Sequence, residues 1–165
     1  MAIKGEPIYL DNAGKAMTGV PAGRVFKAPW RSAGNALQQG IYERLIAGGI
    51  NVWDGNNAKP EYPFVVIGED LSSGAMTKQT IGYDHNVTLN LWNDEAGSFE
   101  LKSYNGRIID LLINDRNWVQ LPDDYLIIYK RLDHYRAIPS DNGATNIARS
   151  MLYLDFRTID EITCF

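Results

Sequence analysis

The amino-acid sequence predicts an α+β fold: a mostly antiparallel β-sheet packed by two α-helices, in the order α-β-β-β-α-β-β. Three observations predict it. Residues 33–46 and 99–112 carry apolar side chains at helical spacing, residues 81–92 alternate between apolar and polar side chains, and residues 125–136 and 145–158 are rich in strand-forming types. With 165 residues, 45% hydrophobic and 22% charged, the chain has the composition of a single globular domain, here with an N-terminal extension.

The N-terminal extension, residues 1–30, is predicted to be irregular because three prolines and four glycines interrupt it. Only short extended pieces such as PIYL can form there. One interpretation is a frayed leader. The other is an arm that orders against a neighbouring subunit, which the large apolar side chains of Tyr9, Phe26 and Trp30 favour. The sequence therefore predicts an irregular arm at residues 1–30 and a folded domain at residues 31–165.

The first helix begins after Ser32, whose hydroxyl can cap it, and ends at Gly48 and Gly49. Apolar residues recur every fourth position along one face, and glutamines and charged residues occupy the other. The members of the apolar stripe are Ala33, Leu37, Ile41 and Leu45.

Three strands are predicted next. Val52 and Trp53 form a very short one, and residues 63–70 (PFVVIGED) form a buried one because four apolar residues follow one another without a break. In residues 81–92 the odd-numbered positions are mostly apolar and the even-numbered ones mostly polar. This alternation indicates a long strand with one solvent-exposed face.

The second helix is expected to begin at Asn93 or Asp94. Its predicted apolar stripe contains Phe99, Leu101, Tyr104, Ile108, Leu111 and Leu112. A turn at Pro122 and Asp123 then leads into the strand at residues 125–136, and a second turn, SDNGAT, leads into the strand at residues 145–158.

The histidines are the first candidates for catalysis. His85 interrupts an apolar strand face, which favours a hydrogen-bonded core or interface histidine, and strand alternation places Asp84 on the opposite face. The same alternation argues against a pair formed by Asp133 and His134. It also makes Glu69 and Asp70 point apart, so these carboxylates are not expected to converge with His85. The sequence contains no GxSxG or GxxxxGK[ST] motif and no histidine spacing typical of a metal site. We therefore expect no catalytic residues, no cofactor and no metal.

Composition also limits which classes of binding partner and which cellular location are expected. A net charge of −4 and a pI near 5.1 argue against specific nucleic-acid binding or attraction to anionic lipid. The single cysteine, Cys164, cannot form a disulfide within one chain. No apolar run approaches the roughly 20 residues of a membrane-spanning helix, and residues 1–17 lack a signal peptide's apolar core. We expect folding in a cytoplasm.

Three motifs carry a resemblance to a known family. The first helix reads LQQGIYERL, the second strand YPFVVIGED and the third HNVTLNLW. Their succession resembles the tail terminator, or tail-completion, family of long-tailed bacteriophages, over about residues 33–158. The arm at residues 1–30 departs from the family pattern, because members usually begin close to the first helix.

The resemblance implies a virion structural protein without enzymatic activity. Such a protein forms a homohexameric ring that caps the head-proximal end of the tail tube, stops its polymerisation and offers an interface to the neck or connector protein and, in contractile tails, to the sheath. It would be assembled in the host cytoplasm, and the genome would pass through the ring. Alternatives are a head-to-tail joining (neck) ring of similar fold, a tail tube protein or, from another class, a small hydrolase that uses His85 or His134.

Subunit contacts are expected at the sheet edges and at the 70–80 loop, where open strand edges and charged side chains can select a neighbour. The residues predicted to make subunit or partner contacts are Glu69, Asp70, Lys78 and Asp84 in the domain, and Tyr9, Phe26 and Trp30 in the arm.

Overall fold

The computed structural model describes residues 32–55, 58–78, 80–94, 98–116, 119–139 and 146–161. The predicted arm, with Tyr9, Phe26 and Trp30, lies outside these ranges. The elements are α1 (Ala33–Ala47), β1 (Asn51–Trp53), β2 (Phe64–Gly74), β3 (Gly82–Asn93), α2 (Ser98–Ile109), β4 (Tyr125–Ile138) and β5 (Ala148–Asp160), and a π-helical turn at Asp110–Asn114 continues α2. This order and the α+β class confirm the prediction.

The five strands form one sheet in the order β1-β2-β3-β5-β4. β1 pairs with β2 in parallel, and the other three pairings are antiparallel. β1 and β4 are therefore the outer strands, and β3 and β5 form the centre of the sheet.

α1 begins and ends where the sequence predicts. The hydroxyl of Ser32 accepts a hydrogen bond from the backbone N–H of Asn35, and Gly48 follows the last helical residue. Gly40 is required at the middle of the helix, because a Cβ there would lie 2.6 Å from Leu121 and 2.7 Å from the carbonyl oxygen of Gln120. The missing side chain lets the segment before β4 pack directly on the helix.

The main core lies between the two helices and one face of the sheet, called here the helix face. α1 and α2 contribute leucines and isoleucines, and the central strands contribute alternate residues. Its fully buried members include Leu37, Ile41, Leu45, Leu101, Ile108, Val65, Leu89, Leu91, Leu152, Leu154 and Phe156.

Two predictions about α2 are wrong. Asn93 is the last residue of β3 and Asp94 lies outside the helix, whose described residues begin at Ser98. Asn93 is buried and its amide donates to the carboxylate of Glu100 at 3.3 Å, so it connects strand to helix. Phe99 is 84% exposed and does not belong to the apolar stripe.

The strands differ from prediction at their ends. β2 continues to Gly74, so its last four residues occupy what was predicted as a loop, and β4 and β5 each end two residues later than expected. Backbone pairing with β3 explains the longer β2, because Leu71, Ser72, Ser73 and Gly74 all pair with it although all four residues are exposed. Within the described ranges, neither helix is long and apolar enough to cross a membrane.

Candidate assembly interface

β2 and β3 form a hairpin that carries two large exposed apolar side chains, one within β2 and one in the turn. Leu71 is 75% exposed and Met76 is 73% exposed, and Lys78 lies in the exposed turn beyond them. The turn is fixed by a backbone hydrogen bond of 2.8 Å from Ala75 N–H to the carbonyl of Gly82. Exposed apolar side chains and a cation on one hydrogen-bonded hairpin have the character of a protein contact surface.

A β-bulge changes which residues of β2 face the helices. Between the pairs Ile67–Leu89 and Asp70–Val87, β2 has two intervening residues and β3 has one. Alternation along β2 is therefore reset after the bulge. As a result Asp70 and Ser72 face the same side of the sheet as His85, so the prediction that this histidine and the carboxylates of β2 could not converge is wrong for Asp70.

His85 is buried within a hydrogen-bond network on the helix face, which confirms the prediction of a core histidine satisfied by hydrogen bonds. It is 2% exposed. Its Nδ1 lies 2.8 Å from the hydroxyl of Ser72 and 3.4 Å from a carboxylate oxygen of Asp70, and its Nε2 lies 2.9 Å from the hydroxyl of Thr158. Burial lowers the pKa of His85 below its ordinary value, although the carboxylate of Asp70 opposes this effect.

The network fixes the tautomer of His85. Ser72 donates its hydroxyl hydrogen to Asp70 at 3.0 Å, so it can only accept from the imidazole, and Nδ1 carries the proton. Nε2 then accepts from Thr158. The nitrogen able to act as a base thus faces a hydroxyl that is 0% exposed, which no substrate could reach from solvent. The arrangement is suited to holding the hairpin to β5 and not to nucleophilic catalysis.

The second histidine also has a carboxylate neighbour. His134 Nδ1 lies 2.8 Å from the carboxylate of Asp133, so the prediction that the two could not pair is wrong. The physical reason is again a bulge, here between Leu132 and His134, which breaks the alternation of β4. The imidazole stacks on Tyr153 at a centroid distance of 4.3 Å, and both Asp133 and His134 are exposed.

The other side of the sheet bears no helix among the described residues and is called here the polar face. Asp84 lies on this face, opposite to His85, as alternation predicts. Its carboxylate receives two hydrogen bonds from Arg157, of 2.5 and 3.0 Å. These hydrogen bonds hold the pKa of Asp84 below its ordinary value. Asp84 is therefore neutralised within its own subunit.

A second charged pair lies beside it on the polar face. Asp155 accepts a hydrogen bond of 2.5 Å from Arg131 and one of 2.8 Å from the amide of Asn86. Burial works to raise the pKa of Asp155, but these two hydrogen bonds outweigh it and the pKa is lowered. Sequence reasoning missed Arg131, Asp155 and Arg157. The alternation of the last strand could have indicated Asp155 and Arg157, which share one of its faces.

β4 and β2 differ in the formal charge of their residues, although Arg131 of β4 is bound to Asp155 within the chain. β4 contains three cations, Lys130, Arg131 and Arg136, against one carboxylate, whereas β2 contains Glu69 and Asp70 and no cation. β1 covers only the first three residues of β2, and within the described ranges no strand pairs with the outer edge of β4 or with the rest of β2. Both edges therefore present backbone groups that another strand can pair with.

The predicted contact residues thus fall in separate places. Glu69 lies exposed in the bulge of β2 and Lys78 at the hairpin tip, whereas Asp70 faces His85 and Asp84 faces Arg157. They form no common site. Among the described residues, no group of three or more histidine, cysteine, aspartate or glutamate side chains could hold a metal ion.

Comparison with known proteins identifies a shared fold and assigns no family. No family model matches the chain, and no curated protein matches it. Among solved structures, the chain is similar to a chain in the virion of a native gene transfer agent (GTA) particle, with a TM-score of 0.64 and 20% sequence identity. The similarity covers 78% of this chain and 98% of the other. At this identity it shows a shared fold.

Proposed function

We propose that this chain is a virion structural protein that forms a ring, most simply of six copies, at the head-proximal end of a phage tail tube. Two observations support the proposal. The fold is shared with almost the whole of a chain from a gene transfer agent virion. The observation that carries the ring is the sheet itself: within the described ranges no strand pairs with the outer edge of β4 or with most of β2, and these two strands differ in formal charge.

The ring would form by pairing the outer edge of β4 in one copy with the outer edge of β2 in the next. Such a contact is heterologous, because different surfaces of the two copies meet, and it closes when the rotation between copies divides a full turn. Strand addition supplies directional backbone hydrogen bonds, and charge complementarity selects the register. No catalytic step is involved.

The hairpin tip would contact the last ring of the tube. Leu71 and Met76 supply apolar area for that contact, and Lys78 supplies a charge that can select the partner. A ring that binds tube protein through only one of its faces ends polymerisation, because its other face offers no site for the next tube ring. That other face would bind the neck or connector protein and, in a contractile tail, the sheath.

The capping activity is tested by adding the purified chain to polymerising tail tube protein from the same particle. We expect growth, followed by light scattering, to stop at tube lengths that shorten as the chain-to-tube ratio rises. Binding to connector protein with no effect on tube growth would instead indicate a neck ring. Spontaneous polymerisation of the purified chain would indicate a tube protein.

The edge pairing is tested by charge exchange between Arg136 on β4 and Glu69 on β2. Arg136→Glu or Glu69→Lys alone should lower the yield of rings, because each places like charges at the junction. The double variant carries a complementary pair again and should recover ring yield. Equal ring yields in all four proteins would refute edge pairing without bearing on whether the chain binds the tube.

A further inference from the structure

A groove lined by aromatic rings opens on the polar face at the end of the sheet where β2 begins and β3 ends. The cavity has a volume of about 460 Å³, within the roughly 300–1,000 Å³ typical of ligand sites. The residues that define it, called here the aromatic groove, are Trp53, Lys59, Tyr62, Phe64, Trp92 and Arg149.

Strand register sets the length of the groove. Phe64 of β2 pairs with Trp92 of β3, and Trp92 pairs with Arg149 of β5. Neighbouring strands lie about 4.8 Å apart, so this row of three residues extends about 10 Å across the sheet. An extended chain covers the same distance in about three residues. The groove therefore has the length of a short stretch of extended peptide.

The aromatic rings of the groove support one another. Phe64 meets Trp53 edge-to-face at a centroid distance of 5.9 Å and meets Tyr62 at 5.1 Å. Phe64 is buried by these contacts, whereas Trp53, Tyr62 and Trp92 keep part of their surface exposed. Rings held by other rings are pre-organised, so an apolar side chain can enter without first ordering its site.

Two cations border the row of rings, one towards each end. The ammonium of Lys59 donates to the hydroxyl of Tyr62 at 2.8 Å and lies 5.5 Å from the ring centroid of Phe64. The guanidinium of Arg149 stacks on Trp92 at 5.0 Å. One terminal nitrogen of Arg149 donates to Asn90, and its Nε is buried with no hydrogen-bond partner among the described residues.

The described lining of the groove offers these cations no carboxylate. Asp54 and Glu61 are adjacent in sequence to Trp53 and Tyr62, but neither lines the groove. The groove therefore combines an apolar floor with positive charge, and it fits an apolar group flanked by negative charge.

We propose that the aromatic groove binds an extended segment of another protein in which two apolar residues lie between two carboxylates. The apolar side chains would contact the rings, and the carboxylates, three residues and about 10 Å apart, would pair with Lys59 and Arg149. A peptide fits better than single-stranded nucleic acid, because the edge-to-face packing of Phe64 leaves fewer ring faces on which bases could stack.

Isothermal titration calorimetry of the full chain with a synthetic peptide tests the proposal. The probe peptide has two leucines between a glutamate and an aspartate, with glycines at both ends, and the control peptide has lysines in place of the two acidic residues. We expect the acidic peptide to bind at least about fivefold more tightly, because the control brings like charge to the groove. Equal affinities, or no binding of the acidic peptide, would overturn the proposal.

Charge reversal on the protein gives the second arm of the test. Lys59→Glu, which changes an exposed side chain, should weaken binding of the acidic peptide about fivefold and strengthen binding of the lysine peptide. The matched control is Lys102→Glu on the exposed side of α2, which should change neither affinity. Equal effects of the two substitutions would contradict binding at the aromatic groove.

Two other occupants are tested with the same variants. Binding of oligothymidylate that Lys59→Glu abolishes, without binding of the acidic peptide, would make the groove a nucleic-acid site and overturn the proposal. Self-association that Lys59→Glu abolishes and Lys102→Glu does not would make a second copy the occupant, and would overturn it as well. Peptide binding is measured without tube protein, so it can fail while the proposed capping of the tube stands, and the reverse.

Discussion

Acidification from about pH 7 to about pH 5.5 should destabilise the folded protein through His85. An unfolded histidine titrates with a pKa near 6.5, whereas burial lowers the pKa of His85 in the fold. The unfolded state therefore binds the proton first, and stability falls as the pH drops from 6.5 towards the folded pKa. The loss across this interval is at most about 1.3 kcal/mol, the limit reached when the imidazole stays neutral in the fold throughout.

Urea unfolding followed by tryptophan fluorescence, at one protein concentration, measures this loss. The His85→Gln variant has no titrating group at position 85. Its unfolding free energy should therefore not fall between pH 7 and pH 5.5 because of this site, even if the variant is less stable than the wild type at both pH values. His134→Gln, at the exposed histidine, should retain the loss. The lowered pKa values of Asp84 and Asp155 cost stability only below about pH 4, outside the interval. An equal loss in His85→Gln and the wild type would refute the buried neutral imidazole.

Three further substitutions test the bulge, a helix position and the hairpin tip. Gly68→Ala should lower the unfolding free energy by about 1 kcal/mol, because the new Cβ would lie 3.0 Å from the backbone carbonyl oxygen of Thr88 and 2.8 Å from the side-chain amide nitrogen of Asn90; unchanged urea unfolding would contradict this. Gly106→Ala, in α2 with open space around the new Cβ, should raise it by about 0.5–1 kcal/mol in the same assay. Lys78→Glu at the hairpin tip should weaken the arrest of tail tube growth that light scattering follows, whereas Lys102→Glu on the exposed side of α2 should not; equal growth curves for the two variants would count against a role for Lys78.

Much of the fold follows from local pattern. The stripe of α1 and its Ser32 cap, and the alternation of β3, are properties of contiguous residues, and the structure places both as predicted. The start of α2 could not be predicted this way. Asn93 is a residue type that often caps helices, but here it is the last residue of β3 and pairs with Ala148. The neighbouring strand β5 therefore determines its conformation, and the local sequence does not.

The two β-bulges explain why the sequence did not predict the side-chain contacts of His85 and His134. Strict alternation separates Asp70 from His85 and Asp133 from His134, and one extra residue in each strand brings each pair together. Gly68 is the clue to the first bulge, because an isolated glycine within a strand often marks one. The partners of His85 across the sheet, above all Thr158, depend on which strands are neighbours, and that is set by tertiary packing.

Imaging of the tube end tests the proposed function most directly. Tubes grown with this chain, with a label attached at Lys102 on the exposed side of α2 or seen by cryo-electron microscopy, should carry one closed ring of this protein at a single end. In that ring β4 of each copy should lie against β2 of the next. Copies of the chain along the length of the tube, or tube ends without it, would contradict the proposal.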